Sequence, residues 1–120
     1  MEGTLQTALR EAAHALHEGR WQVSRPDMEA AALLWQALWL PYQDVLKAEA
    51  PDPARIRKRL AAVPAACAAA QSPEGIHPRF TEVLQRAPEV TAMEPAQALR
   101  VLGQLGVLVH AVGTGPEVDL

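Results

Sequence analysis

Residues 28–46, MEAAALLWQALWLPYQDVL, read as a helix that is apolar on nearly every side. At about 100° per residue, Glu29, Gln36 and Gln43 line up in one narrow polar stripe that Lys47 continues. Ala31, Leu34, Leu38 and Val45 make one apolar face. Met28, Trp35, Trp39, Tyr42 and Leu46 make a second, roughly 80° away. Leu33, Ala37 and Leu40 extend the apolar surface further. A helix with so little polar surface has to be covered on several sides, at the centre of a bundle or in a subunit interface. Pro41 interrupts it. An interior proline removes a backbone donor and costs about 3 kcal/mol, so the helix kinks or splits there.

The flanking sequence extends the helical reading in both directions. Ser24 is a suitable N-cap for this helix, with Pro26 and Asp27 in its first turn. Upstream, Leu5, Leu9, Ala12 and Leu16 form one stripe of a helix over about residues 4–18, with Gly19 placed to cap it. Trp21 and Val23 are then free to fold back on the core. Downstream, Ala50-Pro51-Asp52-Pro53 is a strong break, with Asp52 as N-cap and Pro53 as first helical residue. The third helix runs to about Ala70, buries Ile56, Leu60, Val63 and Cys67, and is kinked by Pro64. A short helix over about 78–86 is anchored by Phe80, Val83 and Leu84. Thr91 and Glu94 have capping-box spacing for a last helix that ends near Val112, capped by Gly113. The predicted fold is all-α: a compact bundle of four to five helices, helix 2 central, helices 2 and 3 kinked by proline. One helical domain is expected over residues 1–113, with a mobile tail over 114–120.

Composition agrees. Of the 120 residues, 49% are hydrophobic and only 4% aromatic, which suits Ala-rich helices better than a β-sandwich. The net charge of −3 gives no overall attraction to nucleic acid or to a membrane surface. A lone cysteine, Cys67, excludes an intrachain disulfide. The first residues lack a signal-peptide apolar core, and the apolar run over 101–112 is too short to span a bilayer. A cytoplasmic location is expected. The preference for Ala, Pro and Arg over Lys suggests a GC-rich bacterial genome.

Chemical motifs are few. Arg55, Arg57, Lys58 and Arg59 put four positive charges in five residues near the start of helix 3. They fan over the surface left by Ile56 and Leu60, where they either face solvent or bind phosphate backbones. No neighbouring aromatic platform accompanies them for base stacking. Glu11-x-x-His14, with His17 and Glu18, has the spacing of a carboxylate-bridged metal site. It occurs once and faces away from the apolar stripe, so a metal-dependent enzyme would need a symmetry mate to complete it. His77 reads as a loop or cap residue, His110 as a structural histidine near a helix end, and Cys67 as an inert core thiol. There is no phosphate loop, nucleophile elbow or zinc-type cysteine pairing. Gly103 and Gly106 lie on the last helix, where they permit close packing.

The expected function is therefore a non-enzymatic helical interaction module, a homo-oligomer or a small subunit of a larger assembly. Its expected interface residues are Met28, Trp35, Trp39, Tyr42 and Leu46, since Trp, Tyr and Met favour interfaces. The alternative is an accessory nucleic-acid-binding protein using Arg55, Arg57, Lys58 and Arg59. No metal, cofactor or small-molecule substrate is expected.

Overall fold

The computed structural model describes residues 4–42, 52–71 and 74–114, and among these every regular element is helical. The α-helices are α1 (Leu5–His17), α2 (Arg25–Leu38), α3 (Pro53–Ala61), α4 (Val63–Ala70), α5 (Pro78–Arg86) and α6 (Pro95–Thr114). Short 3-10 turns cover Leu40–Tyr42 and Ala87–Ala92. With α3 and α4 taken as one proline-broken unit, this is the expected five-helix bundle. Among the described residues no helix is long and apolar enough to cross a membrane.

The N-caps explain most helix starts. Ser24 and Asp27 form a capping box at α2, and the Asp52 side chain accepts from the Ala54 N–H at α3. His77 caps α5, its Nδ1 accepting from the Arg79 N–H at 3.0 Å. The last helix departs from expectation. The Thr91 hydroxyl donates to the Pro88 carbonyl at 2.8 Å inside the 3-10 turn, and α6 starts only at Pro95. Pro95 disfavours helical geometry at Glu94, so Glu94 cannot be the third residue of a helix capped by Thr91.

Both internal prolines break their helices outright. α2 stops at Leu38, with Trp39 as C-cap, and the chain passes Pro41 in the 3-10 turn Leu40–Tyr42; residues 43–46 of the predicted helix lie outside the described residues. Ala62 separates α3 from α4 ahead of Pro64. Ile56, Leu60, Val63 and Cys67 remain one buried row across that break.

The core is organised on α2 and α6, which pack along each other. α4 covers another side of α2, and α1 lies on α5 and α6. Ala31, Leu34 and Leu38 are buried as the first apolar face of α2. Close approach of α2 and α6 depends on Gly106. A Cβ there would meet the Trp39 indole at 2.7 Å from Nε1 and 3.0 Å from Cε2. At Gly103, one turn earlier, a Cβ would meet nothing within 4 Å. Gly103→Ala is expected to stabilise by up to about 1 kcal/mol, the helix-propensity gain. Gly106→Ala has the same gain, but displacing a buried indole costs about 1–3 kcal/mol. The two variants should therefore move the urea midpoint in opposite directions. A Gly106→Ala protein as stable as Gly103→Ala would show that the contact is slack.

Candidate protein-interaction surface

The tryptophan face of α2 is largely covered by its own chain. Trp39 is 3% exposed and packed over Gly106 of α6. Trp35 stacks on it with ring centres 5.5 Å apart and lies 5.4 Å from the His110 ring. Trp35 and Met28 are half-buried, whereas Leu33 and Leu40 are exposed. The Tyr42 side chain and Leu46 lie outside the described residues. Of the expected interface, the outer edge of Trp35 and part of Met28 are left accessible.

A larger apolar surface lies on the other side of α6, where it meets α1. The two helices form the walls of an open groove of about 830 Å³. One wall is the α1 row Gln6, Arg10, Ala13 and His17; the other is Gln104, Val107 and Ala111 of α6. Each row follows the spacing that keeps residues on one helix face. Leu9, Leu16 and Leu108 make the floor. Val107 is 73% exposed, the most exposed large apolar side chain among the described residues. Arg100 stands one turn before Gln104 on the same face of α6. The polar groups sit on the two walls, and no Phe, Tyr or Trp lines the groove. That is the anatomy of a docking groove for a helix more than of a small-molecule or catalytic pocket.

The remaining candidates have structural explanations. Arg55, Arg57 and Lys58 are exposed, but Arg59 is fully buried, which corrects the expected four-residue fan. Its Nε donates at 3.1 Å to the Leu38 carbonyl at the end of α2. Leu38 lacks its helical partner because α2 ends there, so the guanidinium caps an orphaned acceptor and complements the negative end of the helix dipole. The sequence carries the signal: Arg59 lies three residues after Ile56 and four before Val63, within the buried row.

Glu11 and Glu18 are engaged by arginines, Arg79 to Glu11 at 2.9 Å and Arg20 to Glu18 at 2.7 Å. The Arg20 hydrogen bond and charge hold the Glu18 carboxyl below its ordinary pKa, with a smaller effect from His14 and His17. His14 reaches Glu18 only at 4.0 Å. Among the described residues no three His, Cys, Asp or Glu side chains are grouped to hold a metal. Cys67 is buried, and burial pushes its thiol up to about 12, far from a reactive thiolate.

Asp27 has a role that its first-turn position alone did not reveal. It is fully buried, and its Oδ2 accepts from the Trp21 indole N–H and the Ser24 N–H, both at 3.1 Å, while Oδ1 accepts from the His77 N–H at 2.9 Å. Trp21 in turn stacks on His77 and tilts against Phe80. This carboxylate joins the start of α2, the loop after α1 and the start of α5. Comparison with known proteins finds no match to a family model, a curated protein or a solved structure.

Proposed function

We propose that this chain is a non-enzymatic helical interaction module that docks a protein through the groove between α1 and α6. The observation that carries the reading is Val107, an aliphatic side chain left exposed beside a floor of leucines. Isolated exposed apolar residues are common, but one bordering a groove floored by leucines supports a binding surface. Assembly as a homo-oligomer and service as a small subunit of a larger complex are both forms of this reading. The nucleic-acid alternative has less support, because Arg59 is withdrawn into the core and three exposed cations remain of the four.

Val107→Glu tests the proposal. The position is exposed, so thermal stability should change by no more than about 0.5 kcal/mol. Self-association in sedimentation, or capture of a partner on immobilised protein, should be lost. A wild-type chain that is strictly monomeric and captures nothing beyond what Val107→Glu captures would overturn it.

A further inference from the structure

We infer that the occupant of the α1/α6 groove is an amphipathic helix of another protein whose flanks are acidic. This rests on the interaction reading above and specifies the partner's chemistry. The argument is charge complementarity. Acidic residues outnumber Lys and Arg by 14 to 11 in this chain, yet no acidic side chain lines the groove. Its ionisable lining groups are Arg10 and His17, both on the α1 wall. Arg100 stands one turn beyond the α6 wall, on the same helix face as Gln104, and α6 carries no Asp or Glu along its whole length.

These cations differ from the other arginines nearby. Arg20, Arg25, Arg79 and Arg86 each form an ion pair with a glutamate of the same chain. Arg10 and Arg100 form none among the described residues. The acids next to the α1 wall, Glu11 and Glu18, are held by Arg79 and Arg20, and neither lines the groove. The surface therefore presents an aliphatic floor with Arg10 and His17 on one wall and Arg100 just beyond the end of the other.

The dimensions suit a helix. From Gln6 to His17 the α1 wall extends about 16 Å, three helical turns. A partner with apolar residues at i, i+3, i+4 and i+7 would set them against Leu9, Leu16 and Val107. Its glutamates would then face Arg10 and Arg100, giving orientation and faster association more than raw affinity. A second copy of this chain fits poorly. A two-fold contact presents the same patch from both sides, so these cations would oppose one another.

The test is calorimetric titration of the full chain with two synthetic amphipathic helices of roughly 18 residues, identical in apolar stripe, one flanked by Glu and one by Lys. The Glu helix should bind at least about tenfold more tightly. The double variant Arg10→Glu, Arg100→Glu should reverse that preference, and Val107→Glu should remove binding of both helices while circular dichroism stays native. Equal binding of the two helices, or a preference that survives the double variant, overturns the acidic-partner inference. Self-association that Val107→Glu abolishes, with neither helix bound, makes a second copy the occupant; the acidic partner then falls while the interaction module stands. A monomer that binds neither helix and captures no partner overturns both.

Discussion

Replacing Asp27 with alanine is expected to destabilise the protein by about 4 kcal/mol, a large share of the 5–15 kcal/mol typical of a whole domain. The carboxylate is the acceptor for the Trp21 indole, the Ser24 N–H and the His77 N–H, and it is shut off from water that could replace it. Alanine leaves these donors unmatched at once and removes half of the capping box. The Ser24 hydroxyl lies 3.1 Å from Asp27 Oδ2 and 3.2 Å from the Gly75 carbonyl, with one proton for both. It cannot make good the loss. Gly75 holds its side of the turn at φ +95, with Pro26 Cγ only 3.1 Å from where a Cβ would sit, so the turn has little freedom to rearrange. Asp27→Asn keeps the volume and one acceptor but points an amide N–H₂ at a donor. Its cost should be about 2 kcal/mol. Urea unfolding followed by tryptophan fluorescence reads both variants. If Asp27→Ala unfolds within about 1 kcal/mol of the parent, the carboxylate does not hold the three segments together.

Arg59→Ala is the second large effect, about 3 kcal/mol, in which loss of the buried stem and of the hydrogen bond to Leu38 combine. Arg59 makes further interactions besides that bond. Arg59→Met separates the two parts. Methionine refills much of the volume but leaves the Leu38 carbonyl without its donor, and its cost should be about half that of alanine. Chemical denaturation of both variants distinguishes this from the surface reading of the basic cluster. A residue fanned into solvent would cost less than about 0.5 kcal/mol on substitution. Arg57→Ala, at an exposed position in the same helix, is the matched control.

Much of the fold was legible because it rests on local rules. Ser24 and Asp52 read as caps since a short polar side chain beside an apolar helix has few better partners than the free backbone N–H groups. Pro41 and Pro64 read as breaks because the ring excludes helical hydrogen bonding in any tertiary setting. The row Ile56, Leu60, Val63 and Cys67 could be followed through a break by periodicity alone. Thr91 and Glu94 have capping-box spacing, but Pro95 keeps Glu94 out of helical geometry, so the helix begins only after both.

The candidate surface was much less legible. The wheel of α2 identified a tryptophan face in need of cover, but the cover is Gly106, some 67 residues after Trp39. A glycine in a helix permits close packing without showing whether anything packs there: Gly106 meets Trp39, whereas Gly103 meets nothing. The groove was invisible for a related reason. Its two walls read as ordinary amphipathic rows, and only the packing of α1 beside α6 leaves Val107 exposed beside a floor of leucines.

By itself, then, the sequence determined the helices, most of their caps and breaks, and which face of each is apolar, because these follow from backbone geometry and spacing within a few turns. Only the tertiary structure decided which apolar faces are satisfied by this chain and which are left open. It put Arg59 against the end of α2, Asp27 at the meeting of three segments and Trp39 under α6, and it left the α1/α6 groove uncovered. Those outcomes depend on the relative placement of helices far apart in the chain, where packing all the core residues at once outweighs the preference of any single position.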